Sequence, residues 1–162
     1  IKHMPGHGFA THDSHFELPV VKASEKELFA NDFAVFRAFC DAEMAMSAHV
    51  LFEAIDPYSP ASTSKKLMDI IRDDIKFSGL LISDDISMSA LPGDIKKRTK
   101  NLIEAGNDVI LHCNGNLFEM KEIIDAGVVP NILTLSRMAS VIEERKKIKH
   151  NKTENFESSR SS

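Results

Sequence analysis

Histidines are concentrated at the start of the chain, where they could hold a ligand or transfer protons. Four of the seven fall within the first fifteen residues, close to Asp13. They are His3, His7, His12 and His15. Pro5, Gly6 and Gly8 in the same run favour an irregular backbone, which suits aiming side chains at a ligand better than forming a helix or strand. We therefore expect a functional site in this segment.

Asp13 lies two residues before His15, a spacing at which a turn or an extended segment can bring the carboxylate to one ring nitrogen. The carboxylate would then fix the tautomer and favour the imidazolium, which gives a proton donor that works near neutral pH. Alternatively, Asp13 caps a local turn through Ser14 and His15 is simply exposed. The spacing alone leaves both possibilities open.

The four histidines could instead bind a metal ion, because imidazoles near carboxylates are common zinc ligands. Their spacing, however, matches no compact zinc motif. No glycine-rich phosphate-binding fingerprint follows a predicted strand, which argues against a nucleotide cofactor. The residues thus argue against a metal or nucleotide site.

A second group of candidates is the acidic pair Asp84 and Asp85, which follows the apolar run at residues 80–82. Side chains alternate along a strand, so the two carboxylates should point in different directions. Asp85 could equally serve as the N-cap of a helical turn over residues 86–90. Asp84 is therefore the better candidate for catalysis.

The elements that could position these residues are visible as apolar runs followed by helical patterns. Predicted strands cover residues 42–46, 80–82 and 109–111, although Glu43 is unexpected in a buried strand. Predicted helices cover residues 28–39, 64–75, 94–105, 117–126 and 134–149. Alternation of strand, loop and helix is typical of βαβ units with right-handed crossovers, so we predict an α/β fold with a parallel sheet.

Polar residues follow each predicted strand, namely His49, Asp84 and His112. The carboxyl ends of parallel strands carry the chemistry both in open doubly wound sheets and in (β/α)₈ barrels. The alternation by itself does not distinguish these two architectures.

Charge and composition exclude several classes of partner. Lysines and arginines number 20 against 24 acidic residues, and the net charge of −4 gives no footprint for nucleic acid or an anionic membrane. The apolar runs are far shorter than the roughly 20 residues that cross a bilayer. Only two cysteines occur, Cys40 and Cys113, without a paired spacing, which favours reduced thiols and a cytoplasmic location.

Four motifs carry most of the candidate residues: KHMPGHG at residues 2–8, Asp13-Ser14-His15 with Leu18-Pro19, MSAHV at residues 46–50, and GLLISDDISM at residues 79–88. They resemble motifs of the β-N-acetylhexosaminidases of glycoside hydrolase family 3. The motifs occur in the family's order with comparable gaps, and the similarity extends to about residue 127. Met4 stands where the family more often has phenylalanine.

The resemblance implies a role for each candidate residue. Asp84 would be the nucleophile that forms a covalent glycosyl-enzyme, and His15 would be the acid/base, with Asp13 as its partner in a dyad. Lys2 and His3 would contact sugar hydroxyls. The chemistry would be two-step and would retain the anomeric configuration, although with a histidine in place of the usual second carboxylate.

The resemblance also implies a substrate and a fold. The substrate would be N-acetylglucosamine linked β-1,4 to 1,6-anhydro-N-acetylmuramic acid, cleaved in the bacterial cytoplasm during peptidoglycan recycling. Neither a metal nor an organic cofactor would be required. Residues 1–149 would form the C-terminal half of a (β/α)₈ barrel, strands 5 to 8 with their outer helices. The N-terminal half-barrel would be missing, and residues 150–162, which are rich in polar residues, would form a disordered tail.

Two other hypotheses remain open at this point. The chain could be an inactive remnant or a non-catalytic binding module, because half a barrel exposes two strand edges and its apolar interior. It could also be a phosphorylase, because a histidine acid/base does not repel an incoming phosphate anion as a carboxylate would.

We predict that the 162 residues expressed alone are unstable or inactive, because closure of such a barrel needs eight strands. Expression followed by an assay on a chromogenic N-acetylglucosaminide checks this expectation. Robust turnover by a monomer of this length would contradict it.

Overall fold

The computed structural model describes residues 1–10 and 17–158, and the chain divides into two units, Ile1–Val129 and Pro130–Ser162. The strands are β1 (Lys2–Met4), β2 (Val20–Val21), β3 (Met44–Ser47), β4 (Leu51–Phe52), β5 (Leu80–Asp85) and β6 (Val109–Leu111). The helices are α1 (Glu25–Ala30), α2 (Asp32–Arg37), α3 (Lys65–Asp69), α4 (Ile95–Ala105), α5 (Leu117–Asp125) and α6 (Ile132–Ser158). A 3₁₀ turn spans Ala61–Thr63, and a π-helical turn, Ile70–Asp74, continues α3.

The first unit is organised around a parallel sheet with the order β1-β3-β5-β6, in which each strand pairs with the next one of the sheet along the chain. A doubly wound sheet would reverse its order at a switch point. No reversal occurs among the strands that the structure describes. β2 and β4 form a separate two-stranded parallel pair. The predicted α/β class and parallel sheet are confirmed.

The strand predictions hold with two adjustments. β3 starts at Met44, so Glu43 lies outside the strand and is exposed, which removes the conflict between its charge and a buried strand. β1 was not among the predicted strands, because Pro5 and the two glycines after it obscure a strand of three residues. The parallel pairing of Lys2 with Met46 places this strand in the sheet.

Hydrogen bonds from short side chains decide where the first helices begin and end. Ser24 and Glu27 form a reciprocal capping box at the start of α1. The single helix predicted over residues 28–39 is wrong, because Asn31 interrupts it. The Asn31 side-chain amide donates to the Glu27 carbonyl oxygen at 2.8 Å, and the chain then restarts as α2.

A buried ion pair ties the π-helical turn to the sheet. The Arg72 guanidinium donates to Asp108 Oδ2 at 2.7 Å and to the carbonyl oxygens of Phe77 and Gly79 at 3.0 and 2.8 Å. Asp108 Oδ2 also accepts from the Leu81 amide at 2.9 Å. The helix predicted over residues 64–75 forms, Ser64 is its N-cap, and its last turn is bonded to the start of β5.

The two faces of the sheet are covered to different extents. Ala45 and Leu81 point into the main core, in which helices pack on the sheet through Leu28, Phe33, Leu67, Met68 and Ile71. Met46 and Ile82 are paired in register on the opposite face, and both are only half-buried. The sheet is thus closed by helices on one side and less covered on the other.

α5 is less buried than its amphipathic pattern suggests, and α6 is longer than the helix predicted over residues 134–149. α5 forms where residues 117–126 predict it, yet none of its side chains is buried, and Leu117, Phe118 and Ile124 are more than 70% exposed. α6 forms the second unit and continues to Ser158, although a disordered tail is predicted from residue 150. No glycine or proline interrupts the sequence there, so nothing local ends the helix. The proposed domain boundary at residue 149 stays a prediction.

None of the described helices has an apolar stretch long enough to cross a membrane. Cys40 is half-buried and Cys113 is exposed, and both are free thiols.

We expect Gly79→Ala to destabilise the protein by about 3 kcal/mol, because a Cβ atom there would overlap the main-chain carbonyl oxygens of Ala42 and Glu43. The matched control is Gly115→Ala, which meets no atom within 4 Å and suffers only from its φ of 75°. That control should lose about 1 to 2 kcal/mol. Urea unfolding of both variants measures the difference, and equal losses would contradict the close approach at Gly79.

Candidate active site

A β-bulge at the carboxyl end of β5 sets the direction of Asp84. Ile82 pairs with Val109 and Asp85 with Leu111, so two residues of β5 oppose one residue of β6. The Ser83 hydroxyl accepts the Leu111 amide proton at 3.1 Å, a bond that a regular ladder would give to the main chain. Bulges of this kind re-aim side chains next to active sites.

The Asp84 carboxylate lies at the end of the sheet beside the first histidine. Its Oδ2 atom is 3.6 Å from His3 Nε2, and the two side chains are 14% and 26% exposed. Its Oδ1 atom accepts the Asp85 amide proton at 2.9 Å. One carboxylate oxygen is thus held by the main chain, and the other faces a potential hydrogen-bond donor at the mouth of the sheet.

The other residues of the first motif surround this pair. The His7 ring lies 5.5 Å from the His3 ring between centroids. Lys2 is exposed on β1, next to His3. The structure therefore brings Asp84 and His3 together and leaves Lys2 exposed, and the catalytic and sugar-binding roles of these residues stay predictions.

The Asp85 carboxylate accepts hydrogen bonds from neighbouring loop residues, which resembles the capping role considered for it. Its side chain accepts from the Ser87 amide at 3.0 Å, the Ser87 hydroxyl at 2.7 Å and the Cys113 amide at 3.2 Å. Partial burial opposes ionisation of Asp85, but the hydrogen bonds from Ser87 and Cys113 outweigh it. The pKa of this carboxyl therefore lies below its ordinary value. Residues 86–90 form turns rather than a helix.

The histidine after β3 is completely buried. His49 Nδ1 is 2.7 Å from the Ser62 hydroxyl, and Nε2 is 3.1 Å from the Asp85 carbonyl oxygen. Burial lowers the pKa of His49 more than the neighbouring Asp84 and Asp85 raise it. Burial thus favours the neutral form of His49, whose side chain has no exposed surface.

The histidine after β6 is held by an acid. His112 Nε2 lies 2.8 Å from Glu119 Oε2, which also accepts from the Asn114 amide at 2.8 Å. The hydrogen bond from His112, followed by that from Asn114, holds the pKa of Glu119 below its ordinary value. These contacts order the loop between β6 and α5 beside the site.

His12, Asp13 and His15 lie outside the described residues, so their predicted roles stay predictions. The segments on either side of them are anchored to one stretch of chain. The Ala48 amide donates to the Met4 carbonyl oxygen at 2.7 Å, and the Leu51 amide donates to the Pro19 carbonyl oxygen at 2.9 Å. Both flanks of residues 11–16 therefore leave from the carboxyl end of β3.

The glycines of the first motif are required by a close approach to α2. A Cβ atom on Gly6 would lie 2.5 Å from Asp32 Cβ, and one on Gly8 would lie 2.7 Å from Asp32 Oδ1. Asp32 Oδ2 is buried and has no hydrogen-bond partner in the structure. The turn that contains Gly6 and Gly8 therefore packs directly on Asp32, the first residue of α2.

A zinc site is not visible in residues 1–10 and 17–158, where no group of three or more histidines, cysteines or acids is placed to hold a metal ion. Two of the four histidines considered for zinc, His12 and His15, lie outside those ranges.

Sequence reasoning missed the residues that fix the end of β5. Ser62, Ser87 and Asn107 are polar residues in short connections, and no spacing in the sequence links them to Asp84 or His49. The one available signal was a histidine directly after an apolar run, which marks a strand end but not a hydrogen-bond partner.

The model of the family described as the glycosyl hydrolase family 3 N terminal domain matches residues 1–143. The chain belongs to glycosyl hydrolase family 3. The resemblance stated for its motifs is therefore confirmed at the level of the family. The matching domain is the family's N-terminal one, and the match does not show which part of that domain this chain represents.

Relatives of this family 3 chain are β-hexosaminidases. The β-hexosaminidase of Aromatoleum aromaticum is 40% identical over 118 residues, which are 70% of this chain and 33% of that protein. The chain thus spans about a third of the length of the curated relatives that it matches.

Two solved structures are similar to this chain both in fold and in sequence. A family 3 β-N-acetylglucosaminidase from Paenibacillus sp. str. FPU-7 is 28% identical with a TM-score of 0.80, covering 90% of this chain and 30% of that one. NagZ from Neisseria gonorrhoeae, solved with N-trifluoroacetyl-D-glucosamine, is 36% identical with a TM-score of 0.73, covering 85% of this chain and 40% of that one.

Asp85→Asn should destabilise the protein by about 1 to 3 kcal/mol at pH 6, because the Ser87 and Cys113 donors lose a charged acceptor. The pKa of Asp85 is lower in the folded state than the unfolded value of about 3.9, so this stabilisation is present above that pH and is lost as the pH falls further. Urea unfolding at pH 6 and pH 3 should therefore show the difference between wild type and variant shrinking in acid. A difference that grows in acid would contradict the assignment.

Proposed function

We propose that this chain carries the catalytic half of a retaining β-N-acetylhexosaminidase, with Asp84 as the nucleophile. The observation that supports this most directly is the pair formed by Asp84 and His3 at the carboxyl ends of β5 and β1. Parallel sheets in barrel enzymes place their chemistry at this edge. One carboxylate oxygen of Asp84 is tied to the main chain and the other faces the open end of the sheet, which suits attack on a bound sugar.

In the first step, Asp84 attacks the anomeric carbon of N-acetylglucosamine and forms a glycosyl ester while the bond to the leaving oxygen breaks. His15, as the imidazolium, gives its proton to that oxygen. In the second step, His15 takes a proton from water, whose oxygen attacks the same carbon and releases Asp84. Asp13 would orient His15 and stabilise its charged form.

Lys2 and His3 are proposed to hold sugar hydroxyls during both steps. Lys2 is exposed and precedes His3 on β1, and its ammonium group could give a charge-assisted hydrogen bond to a sugar hydroxyl. His3 is close enough to Asp84 to position a hydroxyl beside the nucleophile. Holding the ring in this way brings the anomeric carbon into line for attack.

The anchored flanks of residues 11–16 support the assignment of His15. Both flanks are hydrogen-bonded to residues 48–51, which follow β3, and β3 lies between β1 and β5 in the sheet. His15 belongs to the segment between these two anchors, and we propose that it supplies the proton to the leaving oxygen.

We further propose that the chain corresponds to strands 5 to 8 of the family's barrel and needs the other half-barrel as its partner. The chain-order sheet, the half-buried face at Met46 and Ile82, and the uncovered apolar side chains of α5 all support this. The half-buried sheet face and the exposed apolar side chains of α5 are surfaces that further βα units of the barrel would cover. The substrate proposed from the motif resemblance is the disaccharide of N-acetylglucosamine and 1,6-anhydro-N-acetylmuramic acid, cleaved in the cytoplasm.

The proposal is tested with the full-length gene product and an aryl β-N-acetylglucosaminide. We expect Asp84→Ala to lower kcat by at least about 10⁴-fold, as loss of a covalent nucleophile does, and His15→Ala by about 10² to 10⁴-fold. Asp41→Ala removes an exposed acid at the opposite end of the strands and should leave turnover unchanged. A fluorosugar that traps the covalent intermediate should label a peptide containing Asp84.

Several outcomes would count against this function. Full activity of Asp84→Ala, or a label on another acid, would remove the nucleophile assignment. Inversion of the anomeric configuration, followed by NMR during turnover, would exclude the covalent route. Release of sugar 1-phosphate in phosphate buffer would show phosphorolysis in place of hydrolysis.

A further inference from the structure

A buried hydrogen-bond chain connects the interior of the protein to the main chain next to Asp84. It begins at the Ser62 hydroxyl, passes through the His49 ring and ends on the Asp85 carbonyl oxygen. Ser62 and His49 are both 0% exposed. A buried polar pair of this kind costs stability unless each hydrogen bond is satisfied, so the arrangement calls for a role.

The partners determine which nitrogen of His49 carries the proton. A carbonyl oxygen can only accept, so Nε2 must be the donor to Asp85, and Nδ1 accepts the Ser62 hydroxyl proton. Burial lowers the pKa of His49, in agreement with a neutral ring. The ring is therefore fixed in one tautomer and one orientation by two hydrogen bonds.

The scaffold that holds Ser62 is itself immobilised. The Asn107 side-chain amide donates to the Ser62 carbonyl oxygen at 2.7 Å, and Asn107 Oδ1 accepts from the Ser47 hydroxyl at 2.7 Å. Ser47 ends β3, and Asn107 lies two residues before β6. The main chain of Ser62, the partner of the His49 ring, is thus held by a side chain that is itself bonded to the end of β3.

The Asp85 main chain passes this constraint on to Asp84. On one side of Asp85 the carbonyl oxygen accepts from His49, and on the other the amide donates to Asp84 Oδ1 at 2.9 Å. Rotation of the Asp85 peptide groups would move the amide away from that carboxylate oxygen. The main chain that donates to the Asp84 carboxylate is thus held on its other side by the buried His49 ring and by the Met88 amide, which donates to the same carbonyl oxygen at 3.1 Å.

We propose that His49 is a positioning residue for the nucleophile, acting through the Asp85 main chain to hold the Asp84 carboxylate at its angle of attack. This inference rests on the proposed function of Asp84. A histidine that only filled the core would affect stability and leave the geometry of Asp84 unchanged. A positioning residue would affect the chemical step, because a misplacement of about 1 Å costs about 100-fold in rate.

The test compares His49→Leu and His49→Gln in the full-length gene product, with an aryl β-N-acetylglucosaminide as substrate. Leucine removes both ring nitrogens, whereas glutamine keeps an amide N–H that can reach the Asp85 carbonyl oxygen. We expect His49→Leu to lower kcat by about 100-fold with KM changed by less than about threefold. His49→Gln should recover at least about tenfold of that loss.

Thr99→Val is the matched control for a buried polar residue. Its hydroxyl is buried in α4 and donates to the Ile95 carbonyl oxygen at 2.7 Å, away from the nucleophile. This variant should lose stability in urea unfolding and keep the kcat of the wild type. Equal kcat losses for Thr99→Val and His49→Leu would show that the effect follows stability, and the positioning role would be wrong.

The outcomes separate this inference from the proposed function. If Asp84→Ala is inactive while His49→Leu has wild-type kcat, the positioning role fails and the nucleophile stands. If Asp84→Ala is fully active, the proposed function itself fails.

A second measurement does not depend on turnover. ¹⁵N NMR of the imidazole should show the neutral tautomer with the proton on Nε2 at about pH 6.5, where an ordinary histidine is half protonated. A charged ring, or a proton on Nδ1, would overturn the hydrogen-bond direction on which the inference depends.

Discussion

Main-chain N–H and C=O groups at the end of a buried parallel strand need hydrogen-bond partners, and in this protein Asp85 is the residue at which those bonds meet. Its amide, its carbonyl oxygen and both carboxylate oxygens are all hydrogen-bonded, to Asp84, His49, Ser87 and Cys113. These bonds join the segments that follow β3, β5 and β6. The carboxyl edge of the sheet is consequently rigid where Asp84 projects, and rigid support is what a nucleophile needs for in-line attack.

Two adjacent acids perform different tasks because their surroundings differ. Asp85 faces amide and hydroxyl donors, which satisfy it and lower its pKa. Asp84 has one oxygen bonded to the main chain and the other 3.6 Å from the His3 ring. The first arrangement stabilises a loop, whereas the second leaves a carboxylate available for chemistry. The chain belongs to glycosyl hydrolase family 3, and the proposed form of that chemistry is the retaining cleavage of an N-acetylhexosaminide.

The sequence predicted the elements whose signals are local. Residues 80–82 and 109–111 are short apolar runs between polar residues, and both are strands in the structure. Asp94 and Gly106 delimit α4, because caps act within a few residues. The contacts of His49 escaped prediction because they join residues far apart in sequence. The break at Asn31 escaped prediction because the apolar residues keep their helical spacing on both sides of it, and that spacing does not show the side-chain bond to Glu27 that ends α1.

The β-bulge in β5 makes this site sensitive to changes in length. The additional residue shifts the pleat by one position, so the side chain after Ser83 leaves the direction that an unbroken ladder would give it. Deleting one residue here would restore regular pairing with β6 and turn Asp84, the proposed nucleophile, toward the opposite face of the sheet. In an alignment of related chains, a gap within this stretch would therefore be a stronger sign of lost catalysis than many substitutions around it.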